Sequence, residues 1–298
     1  MTKDNYLATI IIPFHGNNKT LELLLDTIPD RFDLEILIVN DIFDAKPFKY
    51  SKFFKSNLIE LKNDKLKRWA GASRNTGLRY SRGNFIFFAD SDDLLLTENF
   101  NNLLNTLNGL DDFSFAVCPV TSMMQGTGEA SNRHLRYESI VKEFLSSKLK
   151  TDLLRHYVPW GKVYSRSFLL DNSIFFEEVV ASNDVLFSAK CLINSKEVLV
   201  IDSLFYIVTE SRTSLTRVMT KDIAKARFLE LCKYNLYLKN NGYQKNLAAM
   251  SGQLFNILKM YPLFFLYAFA VSIYKGFPIF YNIKHLKKII NREFRGKV

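Results

Sequence analysis

The chain has 298 residues, of which 48% are hydrophobic, enough for one large domain or two modest domains that share a cleft. The formal net charge of +10 favours an anionic partner, which leaves a nucleic acid, a phosphorylated substrate and an anionic membrane surface open. Cys118, Cys191 and Cys232 stand too far apart for a disulfide framework or a zinc site, so we expect a reducing compartment. The apolar run near the N-terminus is too short for a signal peptide, which predicts that this end stays in the cytosol.

Short apolar runs alternate with amphipathic runs over the first third of the chain. The apolar runs are ATIIIPF, LEILIVN, LIEL and NFIFFA, with KTLELLLDTI and GASRNTGLRYS between them. This alternation predicts strands buried on both faces and linked by helices, in a mostly parallel sheet. Ligands of such sheets bind beyond the carboxyl ends of the strands. We therefore expect the site to include the residues that follow each run: Phe14, His15, Asn40, Asp41 and 90–93.

The pattern loosens from about Asp111. FSFAVCPV predicts a strand, SMMQGTGEASN a polar loop that is a candidate lid, and YESIVKEFLSSKL a helix. WGKVYSRSFLLDNSIFF predicts a short helix, SNDVLFSAKCLINS a second helix, and EVLVIDSLFYIV a strand. We expect these elements to close the far side of a cleft.

The chain is predicted to be helical after Thr216. MYPLFFLYAFAVSIY carries no charge, but it is shorter than the roughly 20 residues that span a bilayer, and Pro262 interrupts it. Aromatic and basic residues follow, so we expect segment 254–298 to lie on an anionic membrane leaflet. The alternative is a helical hairpin packed on the catalytic core or on a second subunit. The basic residues are Lys284, Lys287, Lys288, Arg292, Arg295 and Lys297.

Three carboxylates, Asp90, Asp92 and Asp93, follow the run FIFFA within four residues. Carboxylates this close repel one another unless a cation lies between them. Asp90 and Asp92 are expected to share Mn²⁺ or Mg²⁺, which would complete its shell with water and substrate phosphates. The predicted substrate therefore carries a diphosphate. The alternative is a surface turn in which Asp90 or Ser91 caps a helix that begins near Leu94.

Four segments carry a resemblance to a known family. ATIIIPFHG, ILIVNDIFD, GASRNTGLRYSRGNFIFFADSDD, and WGKVYSRSFL with NDVLF resemble a family 2 inverting glycosyltransferase of the GT-A fold, over roughly residues 7–215. The resemblance implies an α/β, Rossmann-like GT-A domain, with a mostly parallel central sheet flanked by helices, and a C-terminal helical extension. The expected bounds are 1–215 for the catalytic domain and 216–298 for the helical region. Within the former, 1–110 would bind the nucleotide and 111–215 the acceptor.

The resemblance also implies which residues bind the donor. Asp90-Ser91-Asp92 would be the metal-binding DxD motif, with Asp92 the direct ligand and Asp90 nearer the ribose or the metal. Pro13 and Phe14 would line the nucleobase pocket.

Asp41 and Arg74 complete the implied donor site. Asp41 would accept the uracil N3–H as a charge-assisted hydrogen bond, which favours a UDP-sugar. The family usually has two acidic residues followed by Gly and Ser here, whereas this chain has Asn-Asp-Ile-Phe. Arg74, expected near a helix start, would meet the nucleotide. The alternative for Arg74 is a salt bridge inside the α/β core.

The acceptor side is implied by the later segments. Asp184 matches the family's base, which takes the proton from the attacking hydroxyl, although Asn183 replaces the usual preceding Glu. Asp184 can equally serve as an N-cap for VLFSAKCLI. Trp160 would stack on an acceptor sugar, and Lys162 would contact a phosphate. Arg212 is a weaker candidate near the diphosphate.

The function expected from these residues is metal-dependent transfer of a sugar from a UDP-sugar to a hydroxyl of a glycan. A lipid-diphosphate-linked acceptor, a role in bacterial O-antigen or capsule assembly, and a peripheral position on the cytoplasmic face of the inner membrane are the corresponding expectations. No nucleic-acid partner is expected. One alternative is a nucleotidyltransferase, although PFHGNNKT lacks its Gly-rich basic loop. The other is a non-enzymatic basic protein that binds a membrane surface or nucleic acid.

Overall fold

The computed structural model describes residues 6–42, 48, 57–63, 68–110, 113–211 and 219–280. The chain divides into two compact units. The first comprises Met1–Val179 and Phe187–Ser214, and the second comprises Val180–Leu186 and Leu215–Val298.

Within the described residues the strands are β1 (Tyr6–Phe14), β2 (Leu34–Asn40), β3 (Leu58–Lys62), β4 (Gly83–Phe88), β5 (Leu94–Leu95), β6 (Phe115–Val117), β7 (Val120–Met124), β8 (Lys162–Ser165), β9 (Val198–Val200) and β10 (Tyr206–Glu210). The helices are α1 (Asn18–Thr27), α2 (Trp69–Tyr80), α3 (Thr97–Leu107), α4 (Leu135–Ser147), α5 (Arg166–Asp171), α6 (Val185–Asn194), α7 (Lys221–Asn240), α8 (Ser251–Met260) and α9 (Pro262–Tyr274). Short 3-10 helices cover Lys150–Arg155 and Gln244–Asn246.

A seven-stranded sheet forms the centre of the first unit, in the order β3-β2-β1-β4-β8-β6-β9. Strands β3, β2, β1 and β4 pair in parallel with one another, β8 is antiparallel to β4 and β6, and β9 is parallel to β6. The predicted mostly parallel α/β sheet is therefore confirmed. Every residue of β2 is buried, as expected for a strand with helices on both faces of its sheet.

A smaller sheet in the order β5-β10-β7 lies beyond β4 in the chain. Strand β10 is antiparallel to β5 and parallel to β7. Three predictions for this half were incomplete. The predicted polar loop SMMQGTGEASN begins within strand β7. In addition, WGKVYSRSFLLDNSIFF contains strand β8 before helix α5, and EVLVIDSLFYIV contains two strands rather than one. Their short apolar runs suit a strand and a buried helix equally.

Helix α2 packs directly on the central sheet because it carries a glycine at the contact. A Cβ added to Gly77 would lie 2.4 Å from Cγ2 of Ile11, a fully buried residue of β1. This close approach brings the N-terminal part of α2 to the carboxyl ends of β1 and β2.

The second unit has its own apolar core, formed by residues of α7, α8, α9 and the segment after α9. Its fully buried members include Ala224, Phe228, Ile257 and Ala268. The opposite face of α9 is apolar but exposed, with Leu263 at 85%, Leu266 at 75% and Tyr274 at 84% of full exposure. Within the described ranges, every helix is too short or too polar to cross a bilayer. The basic C-terminal residues from Lys284 onward lie outside those ranges.

Candidate functional site

The acidic turn 90–93 follows β4 at the carboxyl edge of the central sheet. The Asp93 N–H donates to the Asp90 carbonyl at 3.0 Å, and Leu94–Leu95 then form β5. Helix α3 begins only at Thr97, with Leu96 as its N-cap residue. The alternative in which Asp90 or Ser91 caps a helix near Leu94 is therefore wrong, because pairing with β10 draws that segment into a sheet.

Asp93 anchors this turn, a role that the sequence did not reveal. It is 3% exposed, and it accepts hydrogen bonds from the Tyr206 hydroxyl and the Thr209 N–H, both at 2.7 Å. The Tyr206 hydroxyl also accepts the Asp90 N–H at 3.0 Å, and the Thr209 hydroxyl donates to the Asp92 carbonyl at 2.5 Å. Burial, and then the charges of Asp90 and Asp92, raise the pKa of Asp93 well above its usual value. The third carboxylate thus fixes the backbone of the other two.

Arg74 holds Asp90 from the α2 side. The Arg74 guanidinium lies 2.5 Å from Oδ1 of Asp90 and 5.2 Å from the ring centroid of Phe176. Because α2 begins at Trp69, Arg74 lies in the middle of the helix, and the expectation that it stands near a helix start is wrong. The structure instead agrees with the alternative for Arg74, a salt bridge in the core, and the partner is Asp90.

Asp92 faces a different environment from Asp90. Asp92 is an exposed residue, and it lines a cavity of about 240 Å³. Partial removal from water, and then the charge of Asp90, raise the pKa of Asp92. The half-buried Ser91 lies between the two carboxylates.

Asp90 and Asp92 suit a hard divalent cation that takes most of its ligands from elsewhere. Among the described residues, no three His, Cys, Asp or Glu side chains are grouped to hold a metal ion. Two carboxylates at an open turn nevertheless fit Mg²⁺ or Mn²⁺ bound with water and substrate phosphates. Asp92 would be the direct ligand, since Arg74 already engages Asp90.

Asp41 lies at the carboxyl end of β2 among polar groups. It accepts the Trp69 N–H at 3.0 Å and the Asn63 amide at 3.3 Å, and Nδ1 of His15 lies 3.7 Å away. A carboxylate has about four acceptor positions, so these contacts leave capacity for a further donor. The uracil contact stays a prediction.

Pro13 and Phe14 end β1 beside Asp41. The Phe14 carbonyl accepts the Asp41 N–H at 2.9 Å, and its buried ring lies 5.9 Å from that of Phe48. Pro13 is half-buried. Their position at the strand end agrees with the place expected for a nucleobase, and their contact with one stays a prediction.

Trp160 and Lys162 are buried, which the sequence did not indicate. Trp160 is 3% exposed, and its indole stacks on Tyr206 and meets Tyr137 edge to face. Lys162 is 4% exposed, and its ammonium donates to the His156 carbonyl at 2.8 Å. Trp160 thus packs against the tyrosine that anchors the acidic turn, and Lys162 is engaged within the core. Their contact with an acceptor stays a prediction that requires the surrounding side chains to move.

Asn183 and Asp184 lie in the segment 180–186, which groups with the second unit. Both are half-buried, and Asp184 directly precedes α6. Ser182, before them, has a φ of 59°, a left-handed conformation that turns the chain sharply. The roles of Asn183 and Asp184 stay predictions. Arg212 lies outside the described residues.

Asn75 is a second positioning residue that the sequence did not single out. Its side-chain amide donates to the Phe176 carbonyl at 2.9 Å and accepts the Phe176 N–H at 2.8 Å. This pairing holds Phe176 under the Arg74 guanidinium. The motif SRNTG does not reveal this role of Asn75, because its partner Phe176 is 101 residues away in the chain.

Comparison with known proteins identifies the family. The sequence profile described as Glycosyl transferase family 2 matches residues 9–171, and the chain belongs to that family. Membership argues against the nucleotidyltransferase and the non-enzymatic alternatives.

Curated relatives include two bacterial glycosyltransferases. Poly(ribitol-phosphate) beta-N-acetylglucosaminyltransferase TarS of Staphylococcus aureus is 24% identical over 211 residues, which cover 68% of this chain and 35% of that protein. UDP-Glc:alpha-D-GlcNAc-diphosphoundecaprenol beta-1,3-glucosyltransferase WfgD of Escherichia coli is 36% identical over 94 residues, which cover 30% of this chain and 37% of that protein. The chain therefore matches only about a third of the length of these relatives.

Solved structures show the same fold. Residues 1–349 of S. aureus TarS in complex with UDP-GlcNAc match with a TM-score of 0.59 at 20% identity, over 85% of this chain and 72% of that one. The mannosyltransferase PcManGT of Pyrobaculum calidifontis, in complex with GDP-Man and Mn²⁺, matches with a TM-score of 0.55 at 14% identity, over 90% of this chain and 75% of that one. The GT-A fold predicted from the sequence is therefore confirmed.

Proposed function

We propose that the chain is a metal-dependent, inverting glycosyltransferase that uses a UDP-sugar. The observation that carries the proposal is the acidic turn: Asp93 and Tyr206 fix its backbone, Arg74 holds Asp90, and Asp92 is left facing a cavity. A carboxylate fixed in this way, at the carboxyl edge of an α/β sheet, suits the binding of a nucleotide diphosphate through a divalent cation.

In this proposal each residue has a defined task. Asp41 accepts the uracil N3–H, and Pro13 and Phe14 lie beside the base. Asp92, with Asp90, holds Mn²⁺ or Mg²⁺, which would neutralise charge on the departing diphosphate. Asp184 takes the proton from the attacking hydroxyl.

The proposed acceptor is a hydroxyl of a glycan, linked to lipid through a diphosphate, in the assembly of a bacterial surface polysaccharide such as O-antigen or capsule. The support is the printed activity of relatives, since WfgD acts on GlcNAc-diphosphoundecaprenol and TarS on poly(ribitol-phosphate). The proposed catalytic domain comprises residues 1–215, and the proposed helical domain comprises residues 216–298.

We also propose that the second unit binds the cytoplasmic face of an anionic membrane. The outward face of α9 exposes Leu263, Leu266 and Tyr274. Lys221 and Lys225 of α7 lie 5.5 and 5.6 Å from the rings of Tyr261 and Phe264. Residues 231–292 contain neither Asp nor Glu, so this part of the chain is purely cationic. Exposed apolar residues together with an excess of lysines favour an anionic interface.

The donor proposal is tested by thermal unfolding with UDP, GDP, CDP and TDP, each with and without Mn²⁺. A ligand that binds only the folded state raises the midpoint, so UDP with Mn²⁺ should raise it and UDP alone should not. Asp92→Ala should lose this shift, whereas Asp30→Asn, an exposed charge change at the opposite edge of the sheet, should keep it. The metal assignment would be refuted if UDP without Mn²⁺ raised the unfolding midpoint of Asp92→Ala.

The assignment of the base is tested separately with Asp184→Asn. This variant should bind UDP and Mn²⁺ as the parent chain does but should lose transfer by about 10²-fold or more, since it cannot accept the proton. The measurement is release of UDP from UDP-GlcNAc or UDP-glucose in the presence of acceptor. Unchanged turnover would place the base elsewhere.

The membrane proposal is tested by sedimentation with vesicles that contain phosphatidylglycerol. The double variant Leu263→Ser, Leu266→Ser should remain in the supernatant. Its matched control, Leu145→Ser with Leu149→Ser, removes two exposed leucines of the first unit and should sediment like the parent. Equal sedimentation of both double variants would contradict the proposal.

A further inference from the structure

Strand β9 forms one edge of the seven-stranded sheet and is open along one side. It is the last strand in the sheet order and pairs with β6 alone. All three residues of β9 are half-buried, whereas every residue of β6 is buried. Strand β3, at the opposite edge, contains Glu60 and Lys62, and charges of this kind discourage pairing with another chain. Strand β9 has the sequence VLV and lacks such charges.

The backbone groups of β9 alternate between β6 and the open side. The Ile201 N–H, just after the strand, donates to the Val117 carbonyl of β6 at 3.1 Å. The groups of Leu199 therefore also face β6, and those of Val198 and Val200 face away from it. Among the described residues, the outward N–H and carbonyl groups of these two valines have no hydrogen-bond partner. They are free to pair with a further strand.

Charged residues of opposite sign lie at the two ends of this edge. Lys196 and Glu197 precede β9, Asp202 follows it, and all three are exposed. In the part of the chain that the structure describes, none of the three takes part in an ion pair. A strand of the same sequence that runs in the opposite direction would bring its aspartate to the lysine end.

We propose that β9 pairs antiparallel with β9 of a second copy of this chain, about a twofold axis at Leu199. Val198 of each copy then lies opposite Val200 of the other, so that the outward N–H and carbonyl groups bond one another. The same register brings Lys196 of each copy to Asp202 of the other. Moving the axis to either valine would place both charges opposite uncharged residues. The edge is thus self-complementary in one register, as a twofold interface requires.

The dimer would join the two central sheets and leave the two candidate sites independent. Strand β9 is parallel to β6, and both β6 and β4 are antiparallel to β8, so β9 runs in the same direction as β1 to β4. Antiparallel pairing therefore turns the carboxyl edges of the two sheets in opposite directions. Each acidic turn opens on its own side, so dissociation should change neither UDP binding nor transfer per chain. The dimer does not depend on the proposed function.

The test is sedimentation velocity of the full chain over a range of concentrations. A short strand pair is a small interface, so we expect a dissociation constant of about 1–100 µM. Val200→Pro removes an outward donor but keeps the bonds to β6, and it should weaken the dimer by about tenfold or more. Its control, Val200→Thr, keeps the donor and should dimerise like the parent. Each variant is also measured with Leu263→Ser and Leu266→Ser, which removes association through the exposed face of α9.

A charge exchange tests the register without altering the backbone. Asp202→Lys and Lys196→Asp each place like charges together at both ends of the strand pair, and each should weaken the dimer by about fivefold. The double variant that combines them restores opposite charges, so its dissociation constant should return to within about twofold of the parent. A merely structural role of either residue would not give this rescue.

A cross-link tests the position of the axis. At the axis the two Leu199 Cα atoms would lie about 4.5 Å apart, which suits a disulfide, so Leu199→Cys should form a linked dimer on mild oxidation. Ile201→Cys is the control, because its two Cα atoms would lie roughly 14 Å apart. The native cysteines are all buried.

A parent chain that stays monomeric up to about 200 µM would overturn the inference. So would a dimer that Val200→Pro leaves unchanged, or one that the charge exchange does not restore, since association would then use another surface. Failure of the proposed function has a different outcome, because UDP with Mn²⁺ would not bind even though the dimer forms.

Discussion

Replacing Tyr206 by phenylalanine tests how firmly the acidic turn is anchored. The change removes one hydroxyl from a fully buried side chain and keeps the ring that stacks on Trp160. Two hydrogen bonds are lost, the one that Tyr206 donates to Asp93 and the one that it accepts from the Asp90 N–H. Each lost hydrogen bond leaves a polar group of the turn without its partner, which costs about 1–3 kcal/mol of stability. We therefore expect Tyr206→Phe to lower the free energy of unfolding by about 2–6 kcal/mol.

Urea unfolding followed by tryptophan fluorescence measures this loss in the first unit. The chain has two tryptophans, Trp69 and Trp160, and both belong to that unit. Tyr164→Phe is the matched control, because Tyr164 is equally buried but its hydroxyl donates to the Pro159 carbonyl at a long 3.4 Å. The control should cost less than about 1 kcal/mol.

A second variant separates the anchor from a general packing effect. In the cycle of Tyr206→Phe with Asp93→Asn, residues that act through one network should show a coupling of about 1–2 kcal/mol. Tyr206→Phe should also weaken the binding of UDP with Mn²⁺, since the backbone of Asp90 and Asp92 is released. A loss of stability below about 0.5 kcal/mol would refute the anchoring role, because that is the scatter of surface substitutions.

Three further predictions follow from buried contacts. Burial, and then the charge of Lys162, hold the pKa of His156 well below its usual value, so only the unfolded chain takes up a proton there as pH falls below about 6.5. Stability should therefore decrease from pH 7 to 5 by up to about 1.4 kcal/mol per unit, and His156→Phe should remove that slope in urea titrations. Arg74→Lys keeps the charge but loses the planar contact, and it should weaken UDP binding with Mn²⁺ by about tenfold in calorimetry; unchanged affinity would contradict the role of Arg74. Gly77→Ala should cost about 1–3 kcal/mol of unfolding free energy because its Cβ would meet Ile11, whereas Gly252→Ala, with open space around it, should not destabilise the chain.

The sequence was sufficient for the parallel half of the central sheet, β1 to β4, and for the existence of the acidic turn. The buried runs of β1, β2 and β4 are continuous, and the polar residues that follow them lie at the carboxyl edge where parallel strands place them. These features are local patterns in the chain, so they can be read without knowing the tertiary contacts.

The roles within the turn could not be predicted because they depend on distant partners. Asp90, Asp92 and Asp93 are equivalent in the sequence, and only contacts with Tyr206, Thr209 and Arg74 distinguish them. Trp160 was expected to be open to a sugar, but the motif PWGK does not reveal that Tyr137 and Tyr206 cover the indole. Arg74 was expected near the start of helix α2. The helix begins at Trp69, which has an unusual φ of 75°, so Arg74 lies in the middle of the helix instead.

The separation between the acidic turn and its anchor has a consequence for how the protein is made. Asp90 and Tyr206 are 116 residues apart, and Asp93 and Thr209 are separated by the same number. During synthesis the ribosome therefore produces DSDD long before the strand that fixes it. Closing so long a loop also carries an entropic cost that is repaid only when β10 pairs. A nascent or cleaved chain that ends before Tyr206 has all the proposed metal-binding carboxylates but not the support that positions them, so the acidic turn matures only once the first unit has been translated nearly to its end.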